Sequence, residues 1–125
     1  MLPLSAAWET CLFVATVACV AANAFEVGAK VCGAQFVLQN AAAVGLGRRW
    51  IPCLAVIEGA GVAGLLIGFF HRPAIGLAAA VGLVAFFVLA VLAHIRAGVL
   101  HTIAFPVAFL LLAAAALGYF AGGPG

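Results

Sequence analysis

Four apolar stretches dominate this sequence, at about 8–26, 52–70, 74–95 and 102–120. Each is close to the roughly 20 residues that a helix needs to cross the hydrocarbon core of a bilayer. Inside hydrocarbon the backbone must satisfy its own N–H and C=O groups, which a helix does within one segment. The pattern therefore predicts an all-α fold, an integral membrane four-helix bundle forming one transmembrane domain over 1–125. Composition excludes the alternative of a soluble domain. Hydrophobic residues make up 69% of the 125-residue chain and charged residues 6%, against about 25% charged in a typical soluble domain. The short loops leave no room for a separate soluble unit.

The punctuation between the stretches fixes the connections. Span 1 starts at Trp8, an aromatic suited to the membrane interface, and Glu26 and Lys30 mark its exit. The segment 30–51 holds one short helical stretch, 35-QFVLQNAAAV-44, with Gln35 and Gln39 four apart on one face. It is too short and polar to span, so it reads as an interfacial or re-entrant helix. Pro52 and Pro73 suit the first turns of spans 2 and 3, where a missing N–H has no consequence. Pro106 falls inside span 4 and predicts a kink or loosened first turns. The tail is 122-GGPG-125. At the other end, 22-ANA-24 and 16-TVAC-19 resemble cleavage sites, but residues 1–8 contain no Lys or Arg, so the segment reads as a retained first span. Cys11, Cys19, Cys32 and Cys53 show no metal spacing and are expected to be free thiols.

Charge sets the expected orientation. Four spans place both termini and the 71-HRP-73 turn on one side. The other side carries Lys30, Arg48, Arg49 and Arg96 against Arg72 alone. The positive-inside rule then puts the long loop in the cytoplasm and the termini outside, as expected for a multi-pass protein of a bacterial plasma membrane. Five scattered basic residues form no nucleic-acid footprint. The partners expected are the lipid bilayer and a membrane protein or a second copy of the chain.

Folding the spans into antiparallel neighbours gathers polar residues in the loop-side half. Glu58 lies about six residues into span 2, and His94 near the end of span 3 should reach a similar depth. Asn23 and Glu26 approach from span 1, and Arg96, His101 and Thr102 complete the candidate polar or ligand-binding cluster. An ionisable residue in a span costs about 2.5–3.5 kcal/mol on insertion scales and usually faces the bundle interior. Glu58 reads either as an anchor between helices or as the polar wall of a ligand site. Gly61, Gly64 and Gly68 follow it on one helix face, and 64-GLLIG-68 is a GxxxG that lets two helices approach closely. No metal is expected, because His94 and His101 lack a clear third ligand. No catalytic constellation is present: there is no nucleotide loop, no Ser-His-acid or Cys-His set, and no convincing pair of haem histidines. That argues against a stand-alone enzyme.

The run 58-EGAGVAGLLIG-68 resembles the E-x-x-G-x-x-G-L-x-x-G segment of the DoxX-like family of small four-span membrane proteins. The ending 90-AVLAHIRAG-98 resembles that family's A-x-x-x-H-x-R-x-G, and 43-AVGLGRRW-50 occupies the place of its loop turn. The segment 25-FEVGAK-30 matches the family's Gly-x-x-Lys-Leu only loosely, and the turn's proline is displaced to Pro52. The resemblance, over about residues 25–118, implies a compact four-helix membrane bundle. It places Glu58, His94 and Arg96 on the family's motifs. The family name comes from a thiosulfate:quinone oxidoreductase, and similar proteins are linked to redox complexes, to chaperoning of membrane proteins and, in distantly similar folds, to sterol-like ligands. The expected function is an accessory or binding subunit holding an apolar ligand, a quinone or lipid, or serving a redox partner complex. The alternative is a structural or chaperone-like protein that recruits another subunit. A third reading, a small proton-coupled transporter, would need a mid-span acid, and Glu9 lies too near the interface.

Overall fold

In a computed structural model, which describes residues 3–122, the described residues form helices joined by short turns. The helices are α1 (Pro3–Cys32), α2 (Gln35–Ala43), α3 (Ile51–Phe70), α4 (Pro73–Ala97) and α5 (Ala104–Ala121), with a single 3-10 turn at Arg48–Trp50 before α3. Four of them are long and apolar enough to cross a membrane. They pack in the cyclic order α1, α3, α4, α5, each against its two neighbours. The short α2 sits between spans 1 and 2. Residues 123–125 of the tail lie outside the described residues.

Local chemistry explains where the helices stop. Gly33, Gly45 and Gly98 all have positive φ, a conformation that glycine adopts without a Cβ penalty. After α4, the Gly98 and Val99 N–H groups donate to the carbonyls of Ile95 and His94. This glycine cap satisfies the last free carbonyls of the helix. Pro52 and Pro73 sit in the first turns of α3 and α4.

Two boundaries differ from the sequence expectation. Helix α1 does not end near Glu26 but runs to Cys32. No glycine of positive φ or proline interrupts it before Gly33, and Glu26 and Lys30, four apart, lie 3.8 Å from each other. Pro106 does not kink α5, because the helix begins only two residues earlier. At that position a missing N–H breaks nothing. The Thr102 carbonyl, the partner such a kink would orphan, accepts instead from the Phe105 N–H at 3.2 Å.

The core is built from small residues and a few large ones. Leu65, Leu83, Ala80, Ala113 and Ala116 are fully or almost fully buried. The glycine stripe of α3 lies against α4. A Cβ at Gly61 would stand 2.6 Å from Leu83 Cδ2, and one at Gly64 would stand 2.6 Å from the Ala79 methyl. These are separations that side chains do not adopt, so the two backbones pack closely only because no side chain intervenes. Toward the termini, Phe13, Phe69, Tyr119 and Phe120 fill the bundle with rings 5.0 to 5.8 Å apart. The loop-side half is filled less completely, and the candidate site lies there.

Candidate functional site: a cavity beneath the loop helix

The site begins with Glu58, which is completely buried. Its position seven residues into α3 is about 10 Å along the helix axis. A carboxylate at such depth needs a partner, and Lys30 supplies it. Lys30 Nζ lies 2.6 Å from Glu58 Oε1 and 3.8 Å from Glu26 Oε2. The extension of α1 makes this contact reachable. Helical side chains lean toward the N-terminus of their helix, which for Lys30 is the interior of the bundle. The side chain reaches down to Glu58 and is itself only 12% exposed. The pair ties α1 to α3 across 28 residues of sequence.

Above and beside this pair is a cavity of about 170 Å³, lined by residues of all five helices. Glu26 and Lys30 come from α1, Asn40 from α2, Glu58 from α3, and His94 from α4. Thr102 enters from the turn before α5. The rest of the wall is largely apolar. It includes five phenylalanines, Phe36, Phe86, Phe87, Phe105 and Phe109, with the Phe87 and Phe109 rings 5.3 Å apart. Helix α2 presents Val37, Asn40 and Ala41 to the cavity, and Val44 just past its end continues the stripe. Gln35 and Gln39 face away and are exposed.

Hydrogen bonding in the site is incomplete. His94 Nδ1 lies 2.8 Å from the Ala90 carbonyl. A carbonyl only accepts, so the ring hydrogen in this bond belongs to Nδ1. Glu58 Oε2 and Thr102 Oγ1 are buried and have no partner. Buried polar atoms are satisfied in the great majority of cases, and both of these exceptions belong to residues that line the cavity.

The candidates from sequence separate into two groups. Glu26, Glu58, His94 and Thr102 line the cavity together. Asn23 is buried within α1, where its Nδ2 donates to the Cys19 carbonyl at 2.8 Å and its Oδ1 has no partner. It is not among the cavity-lining residues. Arg96 is exposed and borders a separate depression with Val44 and Leu92. His101 is exposed in the turn. Sequence reasoning missed Lys30 and Asn40. Lys30 read as a topology marker beyond the end of span 1. The Glu26–Lys30 spacing was the available signal that the helix continues. Among the described residues no three His, Cys, Asp or Glu side chains converge as a metal site.

The profile of the DoxX-like family matches residues 14–116, most of the chain, with α3 and α4 whole and the greater part of α1 and α5. The chain belongs to the DoxX-like family. No curated protein and no solved structure matches it. In this DoxX-like chain the matched region contains the whole cavity, from Glu26 to Phe109.

Proposed function

We propose that this DoxX-like protein is a membrane binding subunit that holds an apolar ligand, a quinone or lipid, in the cavity beneath α2. Glu58 and His94 orient the ligand's polar end, and the phenylalanine wall holds its apolar body. The observation that carries this reading is the pair of unpartnered buried oxygens, Glu58 Oε2 and Thr102 Oγ1, in residues that line a largely apolar cavity. Ligand sites commonly combine an apolar lining with a few convergent polar groups. The excess of Lys and Arg on the α2 side supports a cytoplasmic position for that end, with the termini outside a bacterial plasma membrane.

The second reading is a structural or chaperone-like subunit, favoured by the Lys30–Glu58 pair, which suffices by itself to fasten α1 to α3. One experiment separates the two. The protein is purified in mild detergent and its bound small molecules are identified by mass spectrometry. The binding reading expects a stoichiometric apolar molecule that Ala90→Phe, which places a ring in the cavity, displaces from a folded bundle. An empty wild-type protein that arrives with a second membrane protein supports the structural reading.

A further inference from the structure

The cavity's unmet hydrogen bonds say which chemistry its occupant carries. Glu58 Oε1 already accepts from Lys30 at 2.6 Å, so the carboxylate has its counter-charge. Its second oxygen, fully buried, has none of the donors it needs. An ionised carboxylate only accepts, and a hydroxyl both donates and accepts. Glu58 Oε2 therefore asks for a donor, while Thr102 Oγ1 takes either role. Lys30, the strongest donor on the wall, is held between Glu58 and Glu26.

Size and lining narrow the class further. An apolar cavity of about 150 Å³ accepts a benzene ring, and this one, at about 170 Å³, has room for at least one six-membered ring with one or two polar substituents. Its phenylalanine walls suit the edges and faces of such a ring.

On the reading that the cavity holds a ligand, we infer that the ligand's head is a neutral ring bearing a hydroxyl, whose O–H donates to Glu58 Oε2 beside Thr102. A ring whose polar atoms are carbonyls can accept from Thr102 Oγ1 but leaves Glu58 Oε2 as bare as before, so of the quinone ligands the reduced, hydroxyl-bearing form fits this wall better than the oxidised one. A cationic head is also disfavoured, because Lys30 already balances Glu58 and a second cation would lie against it.

Matched probes test this in the full-length protein in nanodiscs, with empty nanodiscs as the reference for partitioning. The probes are 4-pentylphenol, its methyl ether 4-pentylanisole, and 4-pentylbenzylamine. A hydrogen bond to a charged group is worth about 1.5–3 kcal/mol, so the phenol should bind about tenfold or more tighter than the ether. Glu58→Gln should abolish that ratio, because Lys30 claims the amide oxygen and leaves N–H groups facing the cavity. Thr102→Val should reduce it, and this milder variant decides the matter if Glu58→Gln does not fold. Equal binding of phenol and ether, unchanged in the variants, overturns the hydroxyl assignment while the cavity reading stands. Tighter binding of the amine than the phenol overturns it in favour of a cation site. Binding of no probe above empty nanodiscs overturns the cavity reading and the assignment together.

Discussion

Lys30 and Glu58 show how a single contact changes the meaning of both residues. Alone, each is an expensive charge near or within the membrane. Paired at 2.6 Å, each offsets part of the other's penalty. Removing one partner of a buried pair typically destabilises by about 3–5 kcal/mol, because the other charge is left uncompensated. Lys30→Ala should therefore lower thermal stability in detergent sharply. Lys30→Met with Glu58→Met should restore much of the loss, since an apolar replacement of the whole pair is often neutral. A Lys30→Ala protein that melts like the wild type would show the pair to be unimportant for stability. Much of this site was legible beforehand. Glu58 stood out as an acid in an apolar helix, and His94 and Thr102 followed from the antiparallel order of the spans. Lys30 did not, because its role depends on two further turns of α1 and on the reach of one long side chain.

The α3–α4 interface is decided by the absence of side chains. At Gly64 even a methyl would meet the Ala79 methyl, while Gly82 on α4 faces open space. Alanine is favoured over glycine within a helix by about 1 kcal/mol, and overpacking a tight contact costs about 1–3 kcal/mol. Gly82→Ala should thus hold or raise the melting temperature, and Gly64→Ala should lower it. Equal behaviour of the two variants would mean that the helices are not in close contact at Gly64. The GxxxG pattern was readable as a close approach in general. Its partners, the Ile75–Leu83 face of α4 together with Phe120 of α5 at Gly68, were not, because a small-residue stripe carries no address. Pro106 teaches the converse: its effect depends on where the helix begins, and α5 begins only two residues before it.

At the scale of the whole molecule the two ends of the bundle differ. The terminal end is filled by tilted and edge-on rings, and the loop end holds a cavity that α2 helps to line. In the proposed orientation the loop end faces the cytoplasm and the terminal end the outside. In a chain whose native cysteines are replaced by alanine, Gly122→Cys should react with a membrane-impermeant maleimide on intact cells, and Gly47→Cys should react only after lysis. The reverse pattern would invert the orientation. The sequence by itself determined the class of fold, since so few charges and four apolar stretches leave no other stable arrangement in a bilayer. It also determined which half of the bundle is polar, because short turns force neighbouring spans to run antiparallel. Only the tertiary structure decided that Glu58 is held by Lys30, that Asn23 bonds within its own helix, and that two cavity-lining residues each keep a buried oxygen without a partner. Those outcomes depend on distances of a few ångströms between residues far apart in the chain, set by how closely the helices pack and how far each one runs.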